Sequence, residues 1–156
     1  MNITIAKLKE ALYFFNNSSS CLNEEDSFFS PEESLYTVAQ QVAHVAITVD
    51  WFFEAISGNT GFDMNSAAHE IKVRNYVSLK LAQEHLNKSF HTLIAFIESK
   101  KPAYFNTLLP EGPVLGGQPK SAAFLAIIEH CAHHRGVLTV YSRLLDKTPL
   151  MPYEEF

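Results

Sequence analysis

Ile127-Ile-Glu-His-Cys-Ala-His-His-Arg-Gly-Val-Leu-Thr-Val-Tyr-Ser-Arg-Leu144 is the stretch whose reading decides the fold. Ile127, His130, His134, Val137, Tyr141 and Leu144 recur at alternating steps of three and four. That period marks one face of an α-helix turned toward a helical neighbour. His130 and His134 both lie on this seam, one turn apart, so their imidazoles sit one above the other. His133 falls on the more polar line of Ala126, Glu129, Gly136 and Arg143. Spacing alone also allows the pair His130 and His133, and the seam favours His134. The helix is expected from about Lys120 to Leu145, stopping before Pro149.

Working upstream, the same period returns. Ser78 to Lys100 reads as a helix with Leu79, Leu86, Phe90, Leu93 and Ile97 on one side, ended by Pro102. Between the two lies Leu109-Pro-Glu-Gly-Pro-Val-Leu-Gly-Gly-Gln-Pro119, whose prolines and glycines make it a loop. Residues 62 to 77 are ambiguous, with a helix allowed over Ala67 to Val77. Thr37-Val-Ala-Gln40 has the form of a capping box and opens a helix that runs to about Ser57, before Gly58. Val38, Val42, Val45, Val49, Phe52 and Ile56 form its apolar seam, with Ala39, Ala43 and Ala46 beside it for close packing. Glu24 to Glu33 reads as a connection holding at most one short turn. Ile5, Leu8, Leu12 and Phe15 predict a first helix through about Phe15, ended by Asn16 to Ser20. No strand and no internal repeat is evident. Four long helices in one 156-residue domain read as an all-α four-helix bundle.

Composition narrows the function. Net charge is −5 and the twelve Lys and Arg are scattered, which argues against a nucleic-acid partner. The longest wholly apolar run, Ala122 to Ile128, is too short to cross a bilayer. Cys21 and Cys131 offer neither a disulfide framework nor a metal pair, and the N-terminal residues lack the features of a secretion signal. A reduced, cytoplasmic protein is expected.

The two seam histidines suggest chemistry. Buried imidazoles must satisfy both ring nitrogens away from water, and a shared divalent ion does so for two at once. The opposing reading is a pair of core histidines bonded to protein groups. His44 lies off the valine seam, on the line Thr37, Gln41, His44, Thr48 and Trp51, which looks like the lining of a pocket. A third imidazole from a facing helix would complete a three-nitrogen site with an open position.

These residues also carry a resemblance. The run from Ser121 to Pro149 with its Glu-His-Cys-Ala-His-His-Arg-Gly core, the segment Thr37-Val-Ala-Gln-Gln-Val-Ala-His-Val-Ala46, and the loop before the last helix together resemble the DinB-like (damage-inducible, YfiT-related) superfamily. The likeness covers roughly residues 34 to 152. It implies an up-down-down-up bundle with a long connection, and a metal triad that maps onto His44, His130 and His134. It implies a nickel or zinc ion, and thiol-dependent transferases, isomerases or hydrolases as activities. A homodimer agrees with the family and with the apolar alanine and valine faces. A link to stress response is implied by the family name, which does not imply DNA binding.

Three neutral imidazoles leave a divalent ion its full charge, which lowers the pKa of bound water toward ~7. Hydrolysis, or transfer from a low-molecular-weight thiol to a small-molecule substrate, follows as an expectation. No His-Glu-x-x-His sets a carboxylate beside the metal, and this absence tilts the reading toward thiol transfer. The alternative from another class is a non-catalytic metal or ligand binder, or a stress-linked interaction module. Arg135 could clamp a substrate carboxylate, with a structural ion pair as the plainer role. Tyr141 could touch substrate, with core packing as the plainer role. Asp50 is expected to orient a group or to form a salt bridge, and Glu129 to be solvated. Gly136 costs about 1 kcal/mol in mid-helix and is expected to serve close helix approach. Cys131 reads as a core residue, and His69, His85 and His91 as surface residues.

Overall fold

The computed structural model describes residues 2–153; residue 1 and residues 154–156 of the expected domain lie outside the described residues. Its helices are α1 (Asn2–Ser19), α2 (Val38–Ser57), α3 (Ser66–Arg74), α4 (Leu79–Ser99) and α5 (Ala122–Leu144), with single 3-10 turns at Glu24–Asp26 and Pro102–Asn106. The capping box at the start of α2 forms as its sequence dictates: Gln40 N–H donates to Thr37 Oγ1, and the Thr37 amide donates to Gln40 Oε1. All six members of the α2 seam are buried.

Cross-helix contacts fix the direction of each helix. Cys21, just past α1, meets Ser142 near the end of α5, so α1 and α5 are parallel. Gln41, early in α2, meets His134 and Tyr141, late in α5, so α2 runs against α5. Asp50 meets His85 and Phe53 meets Phe96, so α2 and α4 run together. The long helices therefore follow an up-down-down-up order. In the ring, α2 lies between α4 and α5, and α1 completes it on the far side. The consecutive helices α1 and α2 are thus diagonal, which requires the long connection between them.

Three expectations are corrected. Helix α1 continues past Phe15 to Ser19. Its polar end is held by distant partners: Asn16 donates to Asn87 Oδ1 and Asn17 to the Met151 carbonyl. Leu144 ends the α5 seam exposed, at 55%, because the core line there passes through Leu138, Tyr141 and Ser142. Ala39, Ala43 and Ala46 are fully covered within the bundle, as close packing beside the seam requires. Gly136 is exposed, and among the described residues nothing beyond its own turn of helix lies within 4 Å of where its Cβ would be, so close helix approach does not explain it. Among the described residues no helix is long and apolar enough to cross a membrane.

Candidate metal centre

Helix α2 delivers His44 and α5 delivers His130 and His134 to one place. One ligand nitrogen from each lies within 4.8 Å of the other two. Ring centres are 4.4 to 5.0 Å apart, and their planes are inclined at 58° to 69°. Three nitrogens about 2.1 Å from a common ion stand roughly 3.4 Å apart, so small ring rotations close the set.

The hydrogen bonds say which nitrogens remain free. His134 Nδ1 lies 2.7 Å from Gln41 Oε1, an acceptor, so Nδ1 carries the proton and Nε2 keeps its lone pair. Gln41 is held in turn: its Nε2 donates to the Tyr141 hydroxyl at 3.4 Å, and that hydroxyl donates to the Tyr36 carbonyl at 3.1 Å. Such a chain fixes tautomer and ring orientation in the way metal-ligating histidines require. His130 Nε2 is buried without a hydrogen-bond partner among the described residues. A buried ring nitrogen left unpaired is costly, and an ion at that point removes the cost. The donor set of three neutral nitrogens fits zinc or nickel.

Burial keeps all three rings neutral. It lowers the His44 imidazole below its usual range, with the Glu70 charge acting in the opposite direction. It pushes His130 down to about 4 and His134 down to about 3, and the neighbouring histidines reinforce both shifts. Neutral imidazoles are the ligand form.

His44 opens onto a cavity of about 300 Å³ whose walls are α2, through Thr48 and Trp51, and α3, through His69 and Glu70. Glu70 is the residue that sequence reasoning missed. Tyr36 donates its hydroxyl proton to Glu70 Oε2, and Arg74 Nε donates to Oε1 at 2.7 Å. These two donors hold the Glu70 carboxyl below its usual range. Burial and the Glu70 charge push the Tyr36 phenol up to about 12. The Tyr36 ring lies 5.3 Å from the His44 ring. The i,i+4 spacing of Glu70 and Arg74 was the available signal, but nothing local tied it to Tyr36.

The other sequence candidates are placed as follows. Tyr141 is buried and supports Gln41 from behind, packed on Phe29. Arg135 is not brought to the triad: its guanidinium lies over the rings of Phe14 and Tyr153, without an ion pair among the described residues. Asp50 accepts from His85 at 2.6 Å, and His85 meets the Tyr76 hydroxyl at 2.7 Å. His85 is therefore a partly buried bridge, and His69 lines the cavity against Trp51, contrary to the surface reading of both. His91 and Glu129 are exposed as expected. Cys131 is buried, which pushes its thiol up to about 12 and leaves it an inert core group.

Comparisons with known proteins bear on the family and the fold. The DinB superfamily model matches residues 15–138. The fold resembles that of YfiT from Bacillus subtilis, described as a probable metal-dependent hydrolase with an unusual four-helix bundle topology. The two share 17% identity at a TM-score of 0.70, over 94% of this chain and 88% of that one. No curated protein matches the chain.

Proposed function

This chain belongs to the DinB superfamily, and on that premise we propose that it is a metal-dependent hydrolase of a small molecule. The observation that carries the reading is the gathering of one ring nitrogen from each of three neutral histidines within 4.8 Å, His130 keeping a buried Nε2 unpaired among the described residues. His44, His130 and His134 would hold the ion, zinc or nickel. When bound, it supplies Lewis acidity, polarising a substrate oxygen and acidifying water.

The chain's own groups do the rest. Trp51 and Tyr36 give the cavity aromatic walls against which a substrate of modest size can lie. Glu70 stays ionised because Tyr36 and Arg74 both donate to it, so its oxygens can accept a proton from water entering the cavity. The missing carboxylate was the argument for thiol transfer, and Glu70 removes it. YfiT's description as a hydrolase supports the same choice. A cytoplasmic location is proposed from the two free cysteines, and a homodimer and a stress-linked role from the family likeness.

Metal analysis of the purified protein, beside His44→Ala, tests the site. One zinc or nickel per chain is expected, with affinity reduced at least about 100-fold in the variant, since even an outer-shell change costs 10–100-fold. A wild type that holds no stoichiometric ion overturns the reading. Turnover of ester, amide and phosphoester panels with and without a low-molecular-weight thiol then separates the chemistries. Activity that requires the thiol replaces hydrolysis with transfer; a metal-loaded protein inert in both is a binding module.

A further inference from the structure

The face of α5 that turns away from the histidines carries a second cleft. Arg135, Gly136, Thr139 and Arg143 lie roughly 100° to 200° round the helix from His134. They line a space of about 320 Å³ together with Ser18 of α1 and the segment from Pro149 to Pro152. That segment is pinned in place by the bond from Asn17 to the Met151 carbonyl and by the edge contact of Tyr153 with Phe14, ring centres 5.0 Å apart.

Several features of this cleft lack an internal purpose. Ser18 is only 2% exposed, yet its hydroxyl has no hydrogen-bond partner among the described residues. A buried hydroxyl without a partner calls for an explanation. The Arg135 guanidinium rests on two aromatic rings, 5.6 and 5.9 Å from their centres, and meets no carboxylate among the described residues. Stacking of this kind fixes the plane and leaves the in-plane N–H groups for a ligand. Arg143 spends one N–H on the Thr139 carbonyl and makes no ion pair among the described residues. Gly136 packs against nothing, and its missing side chain widens the cleft. Among the described residues no acidic side chain lines the space, although the chain as a whole carries a net charge of −5.

We infer that this cleft binds a small organic anion. Its carboxylate or phosphate pairs with Arg135 and Arg143, one anionic oxygen accepts from the Ser18 hydroxyl, and its apolar body lies against Leu150 and the flanking prolines. A planar guanidinium matches either anion through paired N–H donors. The site is separate from the metal centre and does not depend on the hydrolytic reading.

The test is a titration of the full chain with benzoate, phenyl phosphate and inorganic phosphate, with benzyl alcohol as the neutral control. NMR shifts of the Ser18 and Gly136 amides and of the Arg135 side chain report binding. Both organic anions should saturate and benzyl alcohol should not. Arg135→Gln should weaken binding about tenfold or more, by loss of the charge-assisted pair. Gly136→Leu should abolish it by filling the cleft, while keeping the fold, because leucine suits a helix better than glycine. His44→Ala should bind as the wild type does. Absence of saturation, indifference to Arg135→Gln or to Gly136→Leu, equal binding of benzyl alcohol, or loss of binding in His44→Ala would each overturn the proposal. Saturation by inorganic phosphate with refusal of both organic anions would also overturn it, because the apolar wall would then have no part.

Discussion

The cavity beside the triad has two walls built in opposite ways. Helix α2 is part of the bundle: thirteen of its twenty residues are buried, and its seam is shut into the core. Helix α3 has only Val73 buried. It is held by polar contacts: Glu70 to Tyr36, Arg74 to the Leu35 carbonyl, Gln40 to the Arg74 carbonyl, and Trp51 to the Asp63 carbonyl. His44 stands on the wall that cannot move without unfolding the core, with its two partner histidines on the neighbouring core helix α5, and the carboxylate stands on the wall that can. Geometry demanded by an ion is supplied by packing, and the group that must meet varied substrates is supplied by a surface helix.

The sharpest way to break this division is Glu70→Gln. The amide still meets Tyr36 or Arg74 but is no longer a base. Hydrolysis should fall roughly 100-fold in kcat/KM, the scale of a general base, with metal content unchanged. Loss of the ion instead would make Glu70 a ligand, and the two walls would share one task. Full activity would reduce α3 to a cover.

The complementary change on the rigid wall is Gln41→Leu. It removes the acceptor that orients His134 but touches nothing on α3. Affinity for zinc, measured by chelator competition, should weaken about 10- to 100-fold. An unchanged affinity would mean that packing alone orients the ring.

The burial of the triad also has a cost in acid. An unfolded histidine takes up its proton near pH 6.5, whereas folded His130 and His134 resist until about 4 and about 3. Between those limits the unfolded chain binds more protons, so stability is full above about pH 6.5 and falls as pH drops. In chelator-treated protein Tm should drop by roughly 5 °C or more from pH 7 to pH 5, and the slope should flatten in His130→Leu. A level profile would show the rings to be more solvated than their burial implies.

The same contrast explains what was readable in the chain. The α2 wall was legible because its signals are local: a capping box at Thr37 and Gln40, then valines at helical steps. The seam of α5 likewise placed His130 and His134 on a common face, and His44 was singled out by the line of polar residues around it. Helix α3 was ambiguous because a helix with one buried residue leaves almost no periodicity to read. Its partners lie 34 to 39 residues away, at Tyr36 and Leu35, and no local pattern encodes such contacts. His85 was misread for the same reason, since Asp50 lies 35 residues upstream. Asn16 to Ser19 looked like a helix stop by propensity, and tertiary bonds overrode it.

Gly136 gives the smallest and most exposing test, because it lies on the helix that carries two of the ligands but faces away from them. Glycine there costs about 1 kcal/mol relative to alanine, and no packing contact repays it. Gly136→Ala should therefore raise stability by up to about 1 kcal/mol, or roughly 2–4 °C in Tm for a chain of this size. Metal affinity should not change, since the added methyl meets no atom on the ligand face. A stabilised variant with an intact metal centre would show that the residue serves something other than the fold or the triad. A destabilised variant would instead show that the α5 backbone at this point needs the freedom of glycine, and the argument that its missing side chain is there to leave room would lose its ground.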